Sequence, residues 1–141
     1  MKKLTLFVWL LVLIAVSSLL TAVFFTVQRS HAPLNVLTVP MDLKVEDHFA
    51  FNTDIDAIHF GKVPPGNQGI KTFTINNTYS FPVVAELSIA GSLAPWIVAD
   101  QNIIYLEPNT WRTLNITATV PLDAPQGIYE GTLRVTFRRD G

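Results

Sequence analysis

From Leu4 to Gln28 the chain runs 25 residues without a charged side chain, and 19 of the 24 residues from Leu4 to Val27 are apolar. As a helix rising about 1.5 Å per residue, this run is roughly 37 Å long, enough to cross a hydrocarbon core of about 30 Å with some tilt. A small globular domain has no interior that surrounds a helix of that length on every face, so burial in a soluble core is the weaker reading. Lys2 and Lys3 precede the run and Arg29 follows it. With the terminal amine, the amino flank is the more positive, which predicts a cytoplasmic N-terminus and a chain exported from residue 30 onward. A cleaved secretory signal competes with this anchor, since Ala15 and Ser17 have small-x-small spacing, but apolar sequence continues past them to Val27. Both readings export the remainder, one as a single-pass plasma-membrane protein held through residues 4–27, the other as a secreted protein.

The anchor accounts for the chain's greasiness. Of 141 residues 49% are hydrophobic, and 20 of those fall in the first 28 positions, leaving about 43% in the rest, which is ordinary for a folded domain. Length allows one domain of usual size besides the anchor. There is no cysteine, so disulfide frameworks, thiol catalysis, iron–sulfur clusters and cysteine zinc sites are excluded. The net charge of −1 offers no basic excess for nucleic acid. From Ser30 onward seven basic residues face eleven acidic ones, a balance of −4 that disfavours docking to anionic lipid headgroups.

Residues 30–44, interrupted by Pro33 and Pro40 and with Leu34, Val36, Leu37 and Val39 lacking a sustained period, read as an extended spacer. The domain is expected over residues 45–139, where short period-two runs are separated by Pro, Gly and Asn. Phe49 and Phe51 make a first strand, Ile58 and Phe60 a second, and Gly61 to Gly69 a loop around Pro64, Pro65 and Gly66. Phe73 and Ile75 alternate with Thr72, Thr74 and Asn76. Val83, Ala85, Leu87 and Ile89 follow Pro82, then Trp96 and a short strand over Ile103 to Leu106. Leu114, Ile116, Ala118 and Val120 oppose Thr113, Asn115, Thr117 and Thr119, and Leu133, Val135 and Phe137 oppose Thr132, Arg134, Thr136 and Arg138. The fold class expected is all-β, an antiparallel sandwich of about seven strands after one N-terminal transmembrane helix.

Ile58-His59-Phe60-Gly61-Lys62-Val63-Pro64-Pro65-Gly66, with Lys71-Thr72-Phe73-Thr74-Ile75-Asn76-Asn77 and Phe81-Pro82-Val83, resembles the opening half of immunoglobulin-like domains of the major-sperm-protein and ASH type. Leu106-Glu107-Pro108 and the stretch from Val120 to Gly131 resemble immunoglobulin-like modules appended to prokaryotic, especially archaeal, cell-surface proteins. The resemblance covers about 80 residues and implies a fold, not a single activity. Gly127-Ile128-Tyr129 is similar to a tyrosine corner, in which a Tyr hydroxyl bonds back to main chain near a strand start. In antibody domains that corner opens the penultimate strand, whereas here about nine residues follow it and Gly131 stands where a cysteine would be. Either this strand is the last one, which is the expectation, or a final strand is missing and a groove stands open to a donor strand.

No motif commits the chain to chemistry. Asp42, Glu46, Asp47, Asp54 and Asp56 with His48 and His59 have metal-capable side chains, but no EF-hand or His-x-x-x-His spacing, and read as a solvated rim. No Gly-x-Ser-x-Gly elbow, phosphate loop or dinucleotide fingerprint is present, so neither an enzyme nor a cofactor is expected. Glu86, Glu107 and Glu130 are carboxylates of the kind any domain of this size carries. Two N-x-T sequons, at Asn76 and Asn115, are candidate glycosylation sites. Trp111 shares the parity of Thr113 and so faces outward, either as a binding residue or at a strand start covered by a loop. Lys62 and Lys71 are expected to keep a sheet edge soluble.

The expected function is a membrane-anchored extracytoplasmic binding or structural module, contacting a protein or cell-envelope partner and no nucleic acid or small-molecule substrate. The alternative is an assembly subunit of a surface filament or secretion apparatus, although Lys2-Lys3-Leu4 lacks the Gly or Ala of a prepilin cleavage site. An accessory module of an enzyme carried by another chain is a third possibility.

Overall fold

The computed structural model describes residues 2–30, 32–48 and 57–140. They form two compact units, residues 1–32 and 33–140. The first is one helix, α1 (Lys2–Ser30), without Gly or Pro. Its segment Phe7–Val27 is long and apolar enough to cross a membrane, and none of it is buried within the protein. The hydroxyls of Thr21 and Thr26 donate to the carbonyls of Ser17 and Ala22, each at 2.8 Å, so these polar groups are satisfied within the helix rather than by water.

The described residues of the second unit form eight strands, where about seven were expected: β1 (Asn35–Val45), β2 (Ile58–Val63), β3 (Gln68–Asn76), β4 (Val83–Gly91), β5 (Ile97–Ala99), β6 (Ile103–Leu106), β7 (Trp111–Thr119) and β8 (Gly127–Arg139). A single 3-10 turn, Ala94–Trp96, joins β4 to β5. The strands form a five-stranded sheet in the order β2-β1-β8-β4-β6 and a three-stranded sheet in the order β3-β7-β5. Every pairing is antiparallel except β1 with β2.

Period-two patterning fills one core from both sheets. Leu43, Val45, Phe60, Val83, Ala85, Ile104, Leu106, Leu133 and Val135 come from the larger sheet, and Ile75, Leu114, Ile116 and Ala118 from the smaller. Burial of each large aliphatic side chain stabilises the fold by about 1.5–3 kcal/mol.

The spacer expected over 30–44 is corrected, because most of it is β1, and the compact unit begins at residue 33 rather than 45. Met41, Leu43 and Val45 alternate with Asp42 and Lys44 over the last five residues of the strand, where its buried face lies. The prolines concealed this pattern. Pro40 pairs with Thr132 of β8, but β2 flanks β1 only from Met41 onward, so Pro40 sits where β1 is still an edge and a missing N–H is tolerated.

The loop expected from Gly61 to Gly69 is likewise shorter. β2 continues to Val63 because Gly61, at φ 76°, forms a bulge that shifts the register between Asp42–His59 and Lys44–Lys62. Only residues 64–67 remain as the turn into β3. The strand β5 went unread because three residues are too few to show a period. The strand expected at Phe49 and Phe51 lies outside the described residues.

Candidate functional site

Each sheet turns one face outward, and the two faces differ in chemistry. On the five-stranded sheet, register places Glu130 of β8 opposite Asp42 of β1, and Asp42 opposite His59 of β2. Like charges directly opposed repel. His59 offsets this, its Nδ1 lying 2.5 Å from Asp42 Oδ2. One row further along, Lys44 and Lys62 stand side by side, and both bind Glu46. The Lys62 ammonium lies 2.6 Å from Glu46 Oε2, and His48 Nε2 lies 3.6 Å from the same oxygen. Hydrogen bonds from Lys44 and then Lys62 hold the Glu46 carboxyl down to about 2, against the small opposing effect of partial burial. Lys62 is therefore an ion-pair partner as well as an edge charge. On β4 and β8 of the same sheet, Glu86 pairs with Arg138 at 3.2 Å.

Beside the Glu130–Asp42 row an open groove of about 540 Å³ is lined in part by Pro40, Ser92, Gly131 and Thr132. The Ser92 hydroxyl donates to Glu130 O and accepts from Glu130 N–H, so it ties down main chain and is not set up as a nucleophile. Gly91, at φ 100°, permits the close approach behind this contact, since a Cβ there would lie 2.7 Å from Glu130 O. Among the described residues no three metal-capable side chains gather. Asp42 and Glu46 are paired as above, Asp47 accepts from Gln126 at 3.0 Å, and Asp54 and Asp56 lie outside the described residues.

The outer face of the three-stranded sheet carries Ile70, Thr72, Thr74 and Asn76 from β3, Trp111, Thr113, Asn115, Thr117 and Thr119 from β7, and Val98 from β5. Register arranges them in rows: Ile70–Thr117–Val98, Thr72–Asn115, Thr74–Thr113 and Asn76–Trp111. The two threonine hydroxyls of the third row lie 3.1 Å apart. No side chain in these rows is charged. An exposed acid, Asp100, follows β5 opposite Asn115, and its carboxylate accepts from the Asn115 N–H while the Asn115 carbonyl accepts from the Asp100 N–H. Trp111 faces outward as its parity predicts and is 67% exposed, with Ile70 at 62% and Val98 at 64%. The sequon asparagines Asn76 and Asn115 share this face and are exposed.

Two supports shape the ends of the strands. The Tyr129 hydroxyl donates to Pro125 O at 3.0 Å, the back-bond expected of a tyrosine corner, and its ring lies 4.2 Å from that of Trp96. Asn77, 1% exposed, places its amide nitrogen 3.0–3.1 Å from the carbonyls of Phe81, Leu106 and Glu107, while its Oδ1 accepts from Tyr79 N–H. In the sequence Asn77 stands only inside a sequon and at the end of the Lys71–Asn77 stretch, neither of which marks it as buried. Its one available signal was an Asn followed by a Thr-Tyr-Ser-Phe turn, which many solvated Asx turns share.

Comparisons with known protein families, with curated proteins and with solved structures found no match to this chain.

Proposed function

We propose that the chain is a single-pass plasma-membrane protein, N-terminus cytoplasmic, which presents one immunoglobulin-like sandwich outside the cell as a binding or structural module without catalytic activity. The observation that carries this reading is the combination of a 21-residue apolar segment, Phe7–Val27, left wholly uncovered, with a β unit that closes its own core. Lipid is the solvent that satisfies the first, and the second needs nothing from it.

The immunoglobulin-like assignment is supported by the Tyr129 back-bond at the start of β8 and by the place of β8 in its sheet, with an antiparallel strand on each side. The neighbour that a last strand would provide beside β8 is supplied by β1, from the amino end of the same unit. No donor strand from another chain is then needed at that position. Ser92 bonded to main chain, Asp42 paired with His59 and Glu46 held by two lysines are arrangements that stabilise strands rather than activate a substrate.

Fractionation of native cells tests the reading. The protein is expected to resist carbonate extraction, to lose its β unit when protease is added to intact cells, and to keep its first two dozen residues by intact mass. Loss of those residues would replace the anchor with a secreted domain. Recovery in shed filaments would favour a filament subunit, and turnover by the purified protein would refute the non-catalytic assignment.

A further inference from the structure

We propose that the outer face of the three-stranded sheet is a docking platform for a neutral polysaccharide of the cell envelope, an inference that rests on the reading of the β unit as a binding module. The distribution of charge points to it. On the five-stranded sheet, Glu130, Asp42, His59, Lys44, Lys62, Glu86 and Arg138 occupy the outward positions. On the three-stranded sheet the outward positions of β3, β7 and β5 hold five threonines, two asparagines, Gln68, Ile70, Val98 and Trp111, and a single carboxylate, Asp100 just past β5, stands opposite Asn115 with its charge turned onto the Asn115 N–H.

A face of this composition has nothing to offer a nucleic acid or an anionic headgroup, both of which are held through cations. It also lacks the mixture that serves protein partners, an apolar centre with a charged and polar rim. Its hydroxyls and amides fill the centre, and its exposed apolar groups stand at the two ends, Ile70 and Val98 at one and Trp111 at the other. A polysaccharide is the complementary polymer. Uncharged and dense in hydroxyls, it exchanges hydrogen bonds with Thr and Asn, and the C–H faces of its rings stack on an indole.

Dimensions agree with a linear occupant. From Ile70 to Asn76 the strand runs about 20 Å, and the face is two strands wide, three where β5 lies beside β7, which gives a strip rather than a pocket. The cross-strand bond between Thr74 and Thr113 fixes part of the surface before any ligand arrives, so little ordering is required on docking.

The test uses the full chain in non-ionic detergent, made in a host without N-glycosylation so that Asn76 and Asn115 carry no sugar. Depletion from solution by cellulose, chitin, insoluble β-1,3-glucan and mannan is measured at low salt and at about 1 M salt. Retention on at least one of them is expected, changed less than twofold by salt because no ionic contact is involved. W111A is expected to weaken it at least tenfold, and T74K, which sets a charge in the centre of the strip, to do the same. E86Q, on the other sheet, is expected to leave it unchanged. Melting curves for W111A and T74K within about 2 °C of the parent show that the fold is kept. Retention by none of the polymers, or retention that W111A leaves intact, overturns the proposal. If no polymer binds while a photo-crosslinker at position 111 captures an envelope protein in native membranes, the polysaccharide is wrong and the binding module stands.

Discussion

Among the described residues Asn77 is the one polar side chain that is buried, and the structure sets the cost of removing it. In N77A the buried Leu106 carbonyl loses its side-chain donor, whereas the Tyr79 N–H and the carbonyls of Phe81 and Glu107 are only partly buried and water replaces the lost amide there. An orphaned buried group costs about 1–3 kcal/mol, which is the loss expected of N77A relative to the parent. For a domain of about a hundred residues this is a fall in Tm of roughly 4–12 °C. N77D sharpens the test because the shape is kept. Its carboxylate has no hydrogen to donate and confronts three carbonyl oxygens, so at neutral pH it is expected to be less stable than N77A. The same confrontation raises the folded-state pKa of the new Asp above the ordinary value of about 3.9, so N77D regains stability as pH falls through that raised pKa. The assay is thermal unfolding of the full chain in non-ionic detergent, followed by near-ultraviolet circular dichroism between pH 4 and 8. An N77A within about 1 kcal/mol of the parent, or an N77D that matches it at pH 7, refutes the reasoning.

Other expectations follow from the same geometry. Glu46 has a folded-state pKa near 2 against an ordinary value of 4.5, so its contribution is complete above about pH 4.5 and lost as pH falls toward 2; acid unfolding of E46Q should lack that component of the pH slope. G91A forces a side chain into a left-handed backbone and within 2.7 Å of Glu130 O, and is expected to cost more than about 3 kcal/mol in urea titration, the strain alone being about 1–3. Y129F removes one hydrogen bond and keeps the ring against Trp96, so a loss of about 0.5–1.5 kcal/mol is expected, and a loss above 3 would mean that the hydroxyl does more than bond Pro125.

Long alternations were readable in the sequence because each residue reports its own side of the sheet. The inward sets of β4, β7 and β8 lie in the core as the period predicts, except Ile89 near the end of β4, which packs against it half-buried. Elements whose meaning depends on a neighbour were not readable. Pro40 reads as a strand breaker until β2 is known to begin alongside Met41, and Gly61 reads as a loop until its bulge is seen to realign Lys62 with Lys44. The same limit separates the two outer faces. Parity alone put Trp111, Asn115 and Thr113 on one side, but their grouping with Ile70, Asn76 and Val98 required the β3-β7-β5 register. Asn77 was hidden more deeply, since its partners Leu106 and Glu107 stand about thirty residues away and leave no local trace.

The position of β1 also determines how the molecule carries load. Only residues 31–34 separate the end of α1 at Ser30 from Asn35, the first residue of the strand, so any tension transmitted through the helix enters the β unit there. β1 is held by β8 along all eleven of its residues and by β2 along its far end, and a pull along the strand axis strains that whole ladder together instead of opening it one bond at a time. A fold tethered through a peripheral loop would yield by peeling. This one must shear β1 away from β8 along its whole length, and from β2 beyond Met41, before the unit gives way at that point.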